Sequence, residues 1–190
     1  MSKTSTGSRK GSTMQTPLRL SLAIAGVFLI VSFGASAAVA GGPNTGFGFH
    51  AGDVAGFPTG EVALTGGGAF NSSTGFVHSG GGFTCTSDVN QGFLTGCLAG
   101  QGVRWDTAAL LSSTMFKCTG AATETLKPAT TDDDTVVLQA DFYRAGDGID
   151  ESFSAQMIVS ASDIADDVQG VQNVWVQGVG CGTATVHFGA

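Results

Sequence analysis

The chain has 190 residues, a length suited to one domain, and sets fifteen acidic residues against eight basic ones for a formal charge of −7 at pH 7. That balance opposes nucleic acid and anionic membrane surfaces, so functions built on phosphate contacts are excluded. Thirty glycines, only four prolines and a scarcity of helix-period stretches point to short strands joined by turns.

At the N-terminus, Lys3, Arg9, Lys10 and Arg19 are the only charges in the first forty residues. An apolar run, LSLAIAGVFLIVSF, follows over 20–33, then the small residues GASAAVA. A basic segment, an apolar segment and an A-x-A site predict a signal peptide over 1–40, cut after Ala40 or, second, after Ala37. The alternative is an uncleaved N-terminal anchor. The apolar run falls short of the about 20 residues a membrane span needs, so no stable span is expected after cleavage. Arg9-Lys10 is not a twin-arginine pair. No cysteine stands at the cleavage point, and LTGC at 94–97 lies too far from the apolar run to be a lipidation site. The expected location is secreted, periplasmic or otherwise cell-exterior. Without the leader, Arg104, Lys117, Lys127 and Arg144 face all fifteen acids, a charge of −11.

Residues 41–60 form a glycine-rich segment, set apart from a single all-β domain over 61–190. The segment carries His50 and Asp53, candidates for two metal ligands or an acid–base pair.

Next comes an unusual stretch, TGGGAFNSSTGFVHSGGGFTC, over 65–85. Pairing it as a hairpin around SSTG (72–75) sets residue i opposite residue 147 − i. Val62, Leu64, Gly66, Gly68 and Phe70 then share a face with Val77, Ser79, Gly81, Phe83 and Cys85. Glu61, Ala63, Thr65, Gly67, His78 and Thr84 fall on the other. This is the apolar-in, polar-out alternation of an antiparallel pair. Glycines in mid-strand mark a bend, a bulge or the close approach of another element, here a Trp or Phe lying over bare backbone. The hairpin resembles the meanders of dirigent-type and allene-oxide-cyclase-type barrels, a resemblance that implies a fold and carries no catalytic residues across. A phosphate-cradling loop is dismissed, because neither a lysine nor a helix follows the glycines.

Cys85, Cys97, Cys118 and Cys181 form an even set in a chain read as exported, which predicts two disulfides. Of three pairings, Cys85–Cys97 with Cys118–Cys181 is preferred, because the first two flank the turn-rich TSDVNQGFLTG. Loop-closure entropy gives roughly 3 kcal/mol for the short loop and roughly 4 for the long one. Zinc is disfavoured, since no C-x-x-C spacing exists.

RWDT (104–107) is the most distinctive local cluster. Arg104 and Asp106 share one strand face, with Trp105 opposite. This is either a ligand-orienting pair with a stacking platform or an ion pair beside a core tryptophan. Residues 107–112 are read as a short turn of helix and KPATTDDDT (127–135) as a surface loop. Strands are predicted over 136–144 and 151–160, the latter with Phe153, Ala155, Met157 and Val159 on one face. Between them, Asp147, Asp150 and Glu151 are candidate calcium ligands or a polar turn. Ser160 to Gln169 is the best helix candidate, capped by Ser162, with Asp163, Asp166 and Asp167 on its solvated face. Two more strands follow, 172–181 with Val174 and Val176 opposite Trp175, and 182–188 with Ala184, Val186 and Phe188 on one side. His78 and His187 read as surface residues.

The predicted fold is all-β, a small antiparallel barrel or sandwich of six to eight strands with two disulfides and one or two short helices. No G-x-S-x-G elbow or other nucleophile motif occurs, and no cofactor is expected. The favoured function is a non-enzymatic exported binding or interaction domain, its partner a protein or a small molecule. The alternative is a small β-barrel enzyme or an apolar-ligand carrier, with its site in the barrel mouth near Arg104, Trp105 and Asp106.

Overall fold

The structure, a computed structural model, describes residues 42–56, 60–92, 94–144 and 153–189. The leader expected over 1–40 lies outside the described residues. Ten strands run in order: β1 (Thr45–Gly56), β2 (Glu61–Asn71), β3 (Phe76–Ser87), β4 (Arg104–Leu111), β5 (Ser113–Phe116), β6 (Lys127–Thr130), β7 (Thr135–Tyr143), β8 (Phe153–Ser160), β9 (Val174–Val176) and β10 (Gly180–Gly189). Eight close into an antiparallel barrel in the order β1-β10-β9-β8-β7-β4-β3-β2, and β5 and β6 form a separate two-stranded sheet. Closure removes the sheet edges that would otherwise template aggregation.

The β2–β3 hairpin has the register the alternation predicts. Val62 pairs with Cys85, Leu64 with Phe83 and Phe70 with Val77, and a bulge interrupts only Glu61. Its loop is the expected 72–75, where Asn71 Oδ1 accepts the amides of Ser73 (3.1 Å) and Thr74 (3.0 Å). One inward rung then crosses six strands: Phe49, Gly66, Gly81, Trp105, Phe142 and Phe153. Trp105 reaches from β4 across Gly81 onto Gly66, and its Nε1 donates to the carbonyl of Thr65 at 3.1 Å. A Cβ on Gly66 would sit 2.5 Å from the indole Cζ2. One on Gly81 would run into the Thr65 carbonyl oxygen. The two glycines are therefore bare because a ring and a neighbouring strand occupy their side-chain space.

Aromatic rings fill both ends of the barrel. Phe47, Phe70 and Phe188 stand 6.0 to 6.3 Å apart at one end, and Phe83, Phe142 and Phe153 stand 5.2 to 5.9 Å apart at the other. The loop after β3 closes over this second end with Val89 and Leu94, held by the Cys85–Cys97 disulfide. A smaller core lies outside the wall of β7, β8 and β9. There the β5–β6 sheet and residues 161–172 bury Val137, Ile158 and Trp175 with Phe116. The Cys118–Cys181 disulfide links this outer layer to β10, and Trp175 Nε1 donates to the carbonyl of Lys117 at 2.9 Å.

Several expectations are corrected. Among the described residues there is no helix. Residues 107–111 extend β4, because β7 offers them a full ladder with one bulge near Ala108. Residues 161–172 form a loop, since Asp163 Oδ1 accepts the amides of Ala165 (3.0 Å) and Gln172 (3.1 Å) and so ties the two ends together. Asp167 is not a free solvated acid; it pairs with Lys127 at 2.9 Å. The loop expected at 127–135 contains β6, paired with β5. The single strand expected over 172–181 is split by a turn into β9 and the start of β10, with Gly178 and Gly180 at positive φ (78° and 126°). The glycine-rich segment 41–60 supplies β1, which pairs with both β2 and β10 and closes the barrel.

Candidate functional site

Half of the barrel's outer wall is covered by β5, β6 and residues 161–172. Outside that layer lie the outward rows of β1, β2 and β3 and those parts of β4 and β10 away from Leu111 and Cys181, which the outer core takes in. Strand alternation sends alternate residues outward there, and the register aligns them into two rungs. One runs His187, Gly48, Gly67, Gly80, Asp106, Asp141. The next runs Thr185, His50, Thr65, Gly82, Arg104, Tyr143. The result is a floor of bare backbone framed by polar side chains. Along β3 the outward row is Phe76, His78, Gly80, Gly82 and Thr84, and Phe76 is 43% exposed.

Two clefts adjoin on this face. One, of about 450 Å³, is lined by Gly67, Gly68, Val77, His78, Ser79, Gly80, Asp106 and Thr107. The other, of about 180 Å³, is lined by His50, Ala63, Leu64, Thr65, Gly82, Phe83, Thr84 and Val103. The hydroxyls of Ser79 and Thr107 hydrogen-bond to each other where β3 and β4 begin to part.

Arg104 and Asp106 share the outward face. Arg104 Nη1 donates to Asp106 Oδ2 at 2.9 Å, with both side chains nearly half exposed, and the guanidinium lies 4.2 Å from the centre of the Tyr143 ring. A pair so exposed contributes little stability, about 1 kcal/mol at most, which leaves both groups free to exchange partners with a ligand. Trp105 is fully buried and offers no face for stacking, so the three residues do not form one site. His50 and Asp53 are both exposed on β1, separated by the irregularity between Ala51 and Asp53. Asp147, Asp150 and Glu151 lie outside the described residues. Among the described residues, no three His, Cys, Asp or Glu side chains gather closely enough to hold a metal ion.

A strongly perturbed carboxylate sits elsewhere, in the connection between β5 and β6. Glu124 accepts the amides of Cys118 (2.6 Å) and Thr119 (2.8 Å), the Thr119 hydroxyl (2.7 Å) and the Lys127 ammonium (2.9 Å). Burial opposes its charge, but these donors outweigh burial and hold its pKa down at about 2, from an ordinary 4.5. The Lys127 ammonium is itself opposed by burial and raised by its contacts with Glu124 and Asp167. This network is a clamp on the Cys118 loop and faces no cleft among those above.

Sequence reasoning missed the gathering of His50, His78 and His187 on one wall. The signal was present in GFGFHA (46–51), whose strict alternation marks a strand with its phenylalanines inside and Gly48 and His50 outside.

Among the described residues no helix is long and apolar enough to cross a membrane, and both disulfides are formed. Comparisons of the chain with family models, with curated proteins and with solved structures return no match.

Proposed function

We propose that the chain is an exported, non-enzymatic binding domain in which the barrel is a scaffold and the uncovered outer wall of β1 to β4 and β10 is the contact surface. One observation carries this reading: the barrel interior is filled. Trp105, Phe142, Leu138, Met157 and Val174 have no solvent exposure, which supports a packed scaffold over a carrier with an apolar cavity. The cleft beside Asp106 takes in the outward Gly67, His78 and Gly80 together with Gly68, Val77 and Ser79 of the inward row. Export is supported by the basic, apolar and small-residue sequence of 1–40 together with two disulfides, which persist in oxidising surroundings. The acidity of residues 41–190 argues against a nucleic-acid partner. The enzyme alternative has less support, because Arg104 and Asp106 neutralise each other in the open and Trp105 is buried away from them.

The test is titration with 11-(dansylamino)undecanoic acid, an apolar probe that brightens and shifts to the blue when enclosed. Its emission is expected to stay at the aqueous level. A saturable blue-shifted response that competes with oleate would overturn the filled scaffold and restore the carrier reading.

A further inference from the structure

We propose that His50 and His187 form a two-imidazole site for a zinc-class divalent ion, which ties the first strand of the barrel to the last. The site goes beyond the reading of the outer wall as a contact surface and does not depend on it.

The register of β1 against β10 sets the two rings side by side. His187 pairs with Gly48, and His50 pairs with Thr185 on the next outward rung. The histidines therefore stand at opposite corners of a four-cornered patch. Diagonal neighbours of this kind in an antiparallel pair have Cβ atoms about 7 Å apart. An imidazole nitrogen and a Zn–N bond of about 2.1 Å together reach about 5 Å from each Cβ, so the two rings span a single ion. Both side chains are exposed, and among the described residues neither ring is held by a hydrogen bond or an ion pair. His50 borders the smaller cleft, and an exposed ring changes rotamer within nanoseconds. Gly48, the corner beside both rings, carries no side chain, and a Cβ there would meet nothing nearer than 3.9 Å. The space an ion and its waters would take is open.

Donor chemistry selects the class of ion. Imidazole suits zinc, copper and nickel, whereas calcium and magnesium take oxygen donors. Asp53 lies beyond the irregularity in β1, and among the described residues it does not join the pair as a third ligand. Water then fills the remaining coordination positions. The net charge of −7 draws cations to the chain. The third histidine, His78, is out of reach. It stands on β3, two strands from β1 and three from β10, roughly 10 Å or more from either ring at about 4.8 Å per strand. A shared ion on β1 and β10 would be a third cross-link beside the two disulfides, and would stabilise the folded chain by mass action.

The experiment is a ¹H–¹³C NMR titration of the histidine rings in the disulfide-bonded protein with zinc chloride, with magnesium chloride as the control, in a buffer that does not chelate. Thermal unfolding is followed in parallel. Zinc is expected to move the His50 and His187 ring signals together and saturably, to leave His78 in place, and to raise the unfolding midpoint. His50→Ala and His187→Ala should each weaken binding by about tenfold or more and abolish the rise, while His78→Ala changes neither. Both replaced side chains are exposed, and the midpoint without zinc reports that the variants fold. A saturable shift at neither ring or at only one, an equal response at His78, an equal response to magnesium, or binding undiminished in either variant would each overturn the proposal. Such a failure would leave the packed interior untouched, which the dansyl probe tests separately.

Discussion

Glu124 shows how one side chain organises a layer. Four donors converge on its carboxylate, two of them backbone amides flanking the Cys118 disulfide. Because its folded pKa is depressed to about 2, the stability it contributes is complete above pH 4.5 and is lost as pH falls toward 2. Its size is at most about 3 kcal/mol. Urea unfolding of the native protein between pH 5 and 2 is therefore expected to show a falling acid limb. In Glu124→Gln that limb should flatten and the stability at pH 7 should drop. An unchanged limb would assign the acid sensitivity to other carboxylates. None of this was legible from the sequence, where Glu124 is one acid among fifteen. Its partners come from a loop whose fold is set by the disulfide and by β6. The burial of Trp105, by contrast, was half legible: alternation put it opposite Arg104 and Asp106, but only the register of β4 against Gly81 decides that its face is covered.

The strands themselves were easier to read where a period of two runs unbroken. The β2–β3 register, the inward faces of β8 and the end of β10, and the opposition of Val174 and Val176 to Trp175 all follow from alternation between a buried and an open side. The errors fall where side chains replace backbone pairing. Asp163 ties a loop that composition reads as a capped helix. Asn173 does similar work at the end of β9. Its side-chain amide donates to the Ala184 carbonyl at 3.0 Å and its side-chain oxygen accepts the Ala184 amide at 2.6 Å, continuing the ladder one step beyond the three-residue strand. Asn173 is buried, so Asn173→Ala leaves a donor and an acceptor of β10 unpaired. The expected cost is about 2 to 3 kcal/mol, read as a lower urea midpoint with unchanged slope. A loss below about 0.5 kcal/mol would mean that water or the neighbouring loop takes over both bonds. The β1 strand was missed for a different reason: glycine-rich sequence looks unstructured until the phenylalanines between the glycines are given a common face.

For the molecule as a whole, glycines on the two sides of one wall have different causes. Those inside make room for Trp105 and for tight coiling of the strands. Outside, Gly67 and Gly80 are crowded by their neighbours, whereas Gly48 and Gly82 have room for a side chain. The disulfides staple the two extremes of this plan, one holding the cover over the Phe83 end and one holding the outer layer against β10. The most direct test is a paired comparison of thermal unfolding in Gly81→Ala and Gly82→Ala, adjacent residues on opposite faces. Gly81→Ala should lower stability by about 3 kcal/mol or more, as expected for overpacking against backbone. Gly82→Ala should leave it unchanged or raise it by about 0.5 to 1 kcal/mol. Equal losses at both positions, or tolerance of alanine at Gly81, would contradict a barrel in which Gly81 lies against the backbone of β2 while Gly82 has open space for a side chain.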